Sequence, residues 1–298
     1  MRALVVGASG QVGGALVRAL EARGYTVTGT YREHALPGLV ELDTTDSQAV
    51  TQLIESVQPD WVFYPAGLSW VDFCEQEPDR CFFENVQLPM QVAGLAAARG
   101  AGFVYFSSEY VFDGRAGPYD ETAEPNPLNV YGKSKLAAER QLADRIGRLT
   151  IVRTTVVYGP EPQKKNFVYQ LLAKAKGSQR IAVPHDQVST PTYSLDLAAA
   201  CVECVERGIA GVINLVGPDR VDRYTFAVKA CHALDLDPAM LIPKSTDTLG
   251  QTALRPLNAG LVNRRAAQML STPLRGVKEG LQAMRAALAC ENRRDFRG

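Results

Sequence analysis

Residues 1–20 read MRALVVGASGQVGGALVRAL. Arg2 to Val6 is a short apolar run of strand character, and Val12, Leu16, Val17 and Leu20 recur at helical spacing. Between the two stands Gly7-Ala8-Ser9-Gly10-Gln11-Val12-Gly13, a GxxGxxG set at a strand-to-helix turn. Gly7 permits the tight turn, Gly10 lets backbone approach a pyrophosphate, and Gly13 lets the helix lie close on the sheet. The helix start offers unpaired N–H groups to phosphate oxygens. A glycine triplet alone is weak evidence; with its strand and its helix it reads as a nucleotide-binding turn.

Outward from that turn, Tyr25 to Thr30 is a second strand. In NAD-selective sites an Asp or Glu follows this strand and bonds the ribose 2′-OH. Here the residues are Thr30-Tyr31-Arg32, with no carboxylate before Glu33. Arg32 can pair with a 2′-phosphate, so NADPH is preferred, with NADH left open; the bland alternative is a solvated Arg32. Val40 to Asp43 follows as a short strand, placing Asp43 where an adenine edge would lie. Gln48 to Val57 reads as a helix and Asp60 to Tyr64 as a buried strand, broken by Pro65-Ala66-Gly67 where a cofactor would pass. A long helix runs from Pro78 through Arg99. Within it Asn85 is either a surface amide or a bond across to a backbone carbonyl inside the sheet.

Phe103 to Phe106 is another buried strand, delivering Ser107 and Ser108 at its end. A helix beginning near Val130 sets Tyr131 and Lys135 four apart on one face. A phenol one turn from an ammonium, near a hydroxyl at a strand end, can do proton chemistry. The cation is expected to lower the phenol's pKa from about 10. The bland reading, a surface Tyr and a solvated Lys, stands beside it, because a lone YxxxK matches easily by chance. Beyond Leu149 to Val152 the strand–helix alternation loosens. The first ~160 residues imply an α/β, Rossmann-type doubly wound parallel sheet, residues 1–160, with segments near 190–216 returning to it. Residues 161–298 form mainly a smaller C-terminal substrate-binding lobe, with the ligand cleft between the two.

Composition bounds the rest. Lys plus Arg and Asp plus Glu number 32 each, so no excess charge points to nucleic acid or an anionic membrane. No apolar stretch reaches about 18 residues, and the expectation is a soluble, cytoplasmic protein. Cys201 and Cys204 form one CxxC inside a helical run, with core packing the expected use over metal or redox chemistry. Neither a metal site nor a disulfide is expected from the six cysteines and three histidines.

Taken together, the glycine turn and Ser108…Tyr131-x-x-x-Lys135 resemble the extended short-chain dehydrogenase/reductases. Within them, Ser107-Ser108-Glu109-Tyr110-Val111-Phe112-Asp113-Gly114, Pro127 through Lys135, Asp186-Gln187, Pro191-Thr192 and Arg255-Pro256-Leu257-Asn258 are similar to the dTDP-4-dehydrorhamnose reductase family. That family includes the cofactor-binding regulatory β subunit of methionine adenosyltransferase. The resemblance implies Ser108, Tyr131 and Lys135 as a reductase triad. It implies Gly7, Gly10, Gln11, Val12 and Gly13 as the pyrophosphate turn, Arg32 on the 2′-phosphate, Asp43 near adenine and Ala66-Gly67 along the cofactor. Tyr131 and Lys135 would also touch the cofactor, and Ser108, Glu109 and Tyr110 the sugar. Three departures stand out. Ser108 and Glu109 replace a frequent Thr and Asp, Val156 stands where bacterial rhamnose reductases flank the sugar with a Trp, and Ala15 replaces an acid some use to bridge a dimer through Mg²⁺. A homodimer is left open as the assembly.

The expected function is NADPH-dependent reduction of a nucleotide-linked 4-keto-6-deoxy sugar. A dinucleotide-holding regulatory subunit whose partner does the chemistry is the alternative from another class. A sugar epimerase or 4,6-dehydratase is the third, though a dehydratase needs a carboxylate where Tyr110 stands.

Overall fold

Strands buried on both faces belong in the middle of a parallel sheet, and this chain has several. The computed structural model describes residues 1–295. In chain order its strands are β1 (Arg2–Val5), β2 (Thr26–Tyr31), β3 (Val40–Glu41), β4 (Trp61–Tyr64), β5 (Gly102–Ser108) and β6 (Leu149–Thr154). Short strands follow: β7 (Val157–Tyr158), β8 (Ile181–Pro184), β9 (Val188–Ser189), β10 (Thr192–Tyr193), β11 (Gly211–Asn214), β12 (Val221–Asp222) and β13 (Leu241–Lys244). Seven of them form one sheet in the order β11-β6-β5-β4-β1-β2-β3, every pair parallel. The order reverses beside β1, between it and β4, which opens a crevice at the strands' carboxyl ends.

Alternation along the strands divides the core in two. Ala3, Val5, Trp61, Phe63, Val104 and Phe106 face one side, where α1 (Gln11–Glu21) meets the sheet. Leu4, Val62, Tyr64, Phe103 and Tyr105 face the other, against α2 (Ser47–Val57) and later helices. Burying a Phe or Leu fully stabilises by roughly 1.5–3 kcal/mol, so these two layers supply much of the driving force.

The expected long helix after Pro78 is interrupted. α3 (Val71–Gln76) precedes α4 (Pro78–Phe82), and a π-helical turn, Phe83–Gln87, joins α4 to α5 (Leu88–Ala97). Asn85 braces that turn: its Oδ1 accepts from Leu68 N (2.9 Å), and its Nδ2 donates to Leu68 O (3.0 Å) and Ser134 Oγ (3.1 Å). The residue four on is Pro89, which has no N–H, so the Asn85 carbonyl lacks an α-helical donor and accepts from the Tyr105 hydroxyl instead (3.0 Å). Of the two readings open for Asn85, the bond to a backbone carbonyl holds, but that carbonyl, Leu68 O, lies in the loop after β4 and not inside the sheet.

α6 (Val130–Arg145), α7 (Phe167–Lys176), α8 (Ser194–Glu206) and α9 (Arg223–Ala233) complete the elements that frame the site. Cys201 and Cys204 are fully buried on α8, in the layer that packs on β1 and β4, so they serve the core as expected. The small strands pair as β10 with β7, β12 with β9 and β13 with β8. They lie near a third apolar cluster that includes Tyr158, Val168, Leu171 and Phe226. No helix among the described residues is long and apolar enough to cross a membrane.

Candidate active site

The glycine turn has the conformation its residues allow. Gly7 has φ +87°, and a Cβ there would come within 3.0 Å of the Ala66 Cβ across the crevice. A Cβ on Gly13 would lie 2.2 Å from the Gly7 carbonyl oxygen, so only glycine lets α1 approach the turn. Ala8 N donates to Thr30 O (2.7 Å), tying the turn to the end of β2. Gly10 caps α1 without any side-chain acceptor, so the first-turn N–H groups point outward as a ready anion cradle. Gln11, its amide nitrogen toward the Val157 carbonyl (3.3 Å), reaches instead to the segment after β6. Val12 packs against the core.

Arg32 is 40% exposed and lies between two acids, donating to Glu33 (2.9 Å) with Glu84 at 3.6 Å. Burial lowers its pKa, but Glu84 and Glu33 outweigh that and raise it. Asp43 is held below the usual carboxylate range, chiefly by the Thr45 N–H (2.9 Å), with Arg32 adding to it. Ala66 is followed by Gly67, whose φ is +147°. A Cβ on Gly67 would strike Asn85 Oδ1 at 2.6 Å and lie 3.6 Å from Lys135 Nζ. The turn, Gly67 and Lys135 thus line one crevice, and a dinucleotide fits its donors and its lack of side chains.

At the end of β5, Ser108 caps a 3₁₀ turn, Glu109–Val111, its Oγ accepting from Tyr110 N (3.3 Å). α6 starts against that turn. Asn129 caps it by accepting from Gly132 N (2.8 Å), and a Cβ on Gly132 would collide with Tyr110 O at 2.1 Å. That close approach brings Tyr131 beside Ser108 and Tyr110, the two tyrosine rings meeting edge to face at 5.5 Å. Lys135 Nζ donates to Phe106 O (3.0 Å) and lies over the Tyr105 ring at 4.8 Å and the Tyr131 ring at 5.9 Å.

Electrostatics correct one expectation. Burial raises the Tyr131 pKa well above its ordinary value; the Ser108 hydroxyl, bonded to it, opposes this without reversing it. Lys135 is itself pulled down to about 8 by burial, the nearby Cys81 and Cys74 opposing. The ammonium lies over the ring, and burial is the largest influence on both groups. Tyr131 is therefore a protonated acid at neutral pH.

A cleft of about 210 Å³ opens beside Tyr131, lined among others by Ser108, Glu109, Tyr110, Val156, Gln187 and Arg223. Glu109 is buried with both oxygens engaged, one by the Ser189 hydroxyl (2.6 Å) and the other by Gly260 N (2.8 Å). Val156 has φ +41°, a strained conformation for a β-branched residue, at the cleft wall. Three residues were not visible as site residues in the sequence: Arg223, Thr155 and Glu84. No motif marks them; Arg223 opens an ordinary helix, capped by Asp222. Among the described residues no group of acids, cysteines and histidines could hold a metal.

A seven-stranded parallel sheet, a glycine turn at its switch point and a Ser/Tyr/Lys set at the carboxyl edge define an extended short-chain dehydrogenase/reductase-type protein. Within that class the chain belongs to the family described as RmlD substrate binding domain, whose model matches residues 1–290. It is 32% identical to a dTDP-4-dehydrorhamnose reductase of Mycolicibacterium smegmatis over 290 residues, covering 96% of this chain and 86% of that one. It is equally 32% identical to methionine adenosyltransferase 2 subunit beta of Xenopus tropicalis over 291 residues, covering 94% and 87%. A crystal structure of dTDP-4-dehydrorhamnose reductase from Bacillus anthracis in complex with NADP superposes with a TM-score of 0.86. That pair is 27% identical, and the match covers 95% of this chain and 98% of the other.

Proposed function

We propose that this chain is an NADPH-dependent reductase of a nucleotide-linked 4-keto-6-deoxy sugar. The observation that carries the reading is the protonated Tyr131 hydroxyl beside Ser108 at a cleft mouth, with Lys135 reaching back to Gly67. The cradle of α1 N–H groups would hold the pyrophosphate, Asp43 would lie near adenine, and Ala66-Gly67 would follow the dinucleotide. Arg32 would leave Glu84 for a 2′-phosphate. Bound NADPH supplies a hydride. Ser108 holds the ketone oxygen, and Tyr131 gives its proton to that oxygen as negative charge develops there. Lys135, charged at neutral pH, would hold the nicotinamide ribose and offset the negative charge left on Tyr131 once its proton has gone to the substrate oxygen. The sugar occupies the cleft between the sheet of residues 1–160 and the lobe built mainly from 161–298.

General acid catalysis contributes about 10²–10⁴ in rate, so Tyr131→Phe should lower kcat by that order while NADPH affinity barely changes. Stopped-flow NADPH oxidation across nucleotide keto-sugars, beside a binding titration of each variant, checks this. Wild-type turnover in Tyr131→Phe would overturn it. A second reading is favoured by the 32% identity to the methionine adenosyltransferase 2 beta subunits: a chain that holds the dinucleotide while a partner does the chemistry. Co-purification with a synthetase, and no NADPH oxidation with any keto-sugar, would select it.

A further inference from the structure

The cleft contains a cation that has no direct ion-pair partner among the described residues. Arg223 opens α9, where its backbone N–H donates to Gln187 O (3.0 Å), fixing the root of the side chain at the cleft wall. Its guanidinium stacks over the Phe167 ring at 4.9 Å. Among the described residues it makes no ion pair and no side-chain hydrogen bond. The acids around it make their hydrogen bonds elsewhere, and Glu109 acts on it only through space. Glu109 is bonded to Ser189 and Gly260, and Asp222 to the backbone and hydroxyl of Thr225. The other arginine nearby, Arg255, is neutralised by Asp72 at 2.8 Å.

Burial lowers the Arg223 pKa, and Arg255 repels it, while Tyr110 and Glu109 oppose those effects. A guanidinium keeps its proton in proteins, so the charge stays in the cleft. Surface arginines without partners are common, because water solvates them. Here the planar group is stacked on an aromatic face, and the residue lines a cavity that Tyr131 and Ser108 also line.

We propose that Arg223 binds an anionic group of the substrate, a carboxylate or phosphate oxygen pair, and so selects charged keto-sugars over neutral ones. A flat five-donor fork matches such a group by two parallel hydrogen bonds. Val156 lines the same cleft. The inference rests on the reductase reading only in taking this cleft as the substrate site. The charge has two sources, a phosphate linking sugar to nucleoside or a carboxylate on the sugar ring.

Calorimetric titration of the NADP⁺-saturated protein with dTDP, thymidine, D-glucuronate and D-glucose tests it without turnover. Wild type should bind dTDP over thymidine, or glucuronate over glucose, by at least about tenfold, since one charge-assisted pair is worth that much. A dTDP preference assigns the linking phosphate, and a glucuronate preference the ring carboxylate; either supports the proposal. Arg223→Gln should erase the preference, and Arg223→Lys should keep part of it, with thermal melts confirming that both variants fold. An unchanged preference in a folded Arg223→Gln, or none in wild type, overturns it. If Tyr131→Phe retains turnover while Arg223→Gln loses anion binding, the reductase assignment fails and the anion site stands.

Discussion

Lys135 shows how one side chain carries both a legible role and an illegible state. Its i,i+4 relation to Tyr131 was visible in the spacing, because helical periodicity puts such residues on one face. Its charge state was not, because that depends on burial set by the rest of the fold. With its pKa pulled from 10.5 to about 8, the linkage has a definite sign. Below about pH 8 both folded and unfolded chains hold the proton, and the folded state bears the full cost of burying it. Between 8 and 10.5 the unfolded chain binds more protons, so stability rises with pH across that window. In cofactor-free protein the gain should be on the order of 3 kcal/mol at most. Lys135→Met should be more stable than wild type at pH 7 and should lack this rise. Urea unfolding of both proteins from pH 7 to 10, compared pairwise so that other titrations cancel, is the measurement; parallel curves would show Lys135 to be solvated.

Among the elements, the strands and the glycine turn were readable because their signals are local: buried runs, alternation, and a GxxGxxG at a strand-to-helix junction. The π turn at Phe83–Gln87 was not. Pro89 is a local hint, since it offers no N–H to the Asn85 carbonyl four residues back, but the turning of the Asn85 amide to Leu68 and Ser134 depends on residues far off in the chain. The turn's use is to carry the Asn85 amide to the backbone just after Gly67, fixing the crevice floor beneath Lys135. Asn85→Ala would leave Leu68 N and O without partners in a part-buried setting. Each such loss costs about 1–3 kcal/mol, so the variant should lose about 2–4 kcal/mol of stability. Hydrogen exchange should show the excess opening concentrated at residues 66–69, and NADPH affinity should fall with it. Uniform exchange across the sheet would mean that Asn85 fills space and does not hold the loop.

For the whole molecule, Glu109 is one of several side chains that join the sheet to the later segments, beside Asp72, which accepts from Ala253 N and Arg255. Glu109 leaves β5, bonding Ser189 of β9 and the Gly260 N–H, while Gly260 O accepts from Tyr119 N (3.0 Å). The sequence blocks Ser107–Gly114 and Arg255–Asn258 were recognisable separately, but their meeting was not, since long-range contact leaves no periodic trace in the chain. Arg223 was missed for the same reason: it matters through Tyr110, Phe167 and the cleft, none of them its sequence neighbours except by folding. The clasp predicts a division of effects. Glu109→Gln keeps an acceptor for Gly260 and, with the Ser189 hydroxyl free to rotate, should retain the fold and most substrate affinity. Glu109→Ala strands the Gly260 N–H in the interior, costing about 1–3 kcal/mol, while the Ser189 hydroxyl keeps that of Thr155 (2.7 Å). Its KM for the keto-sugar should rise more than its kcat falls, because the walls of the cleft separate while Tyr131 and Ser108 stay on the sheet side. Thermal unfolding with steady-state kinetics of the two variants decides the matter. A Glu109→Gln variant that loses kcat by 10² or more with its Tm unchanged would move Glu109 from holding the cleft to acting on the substrate.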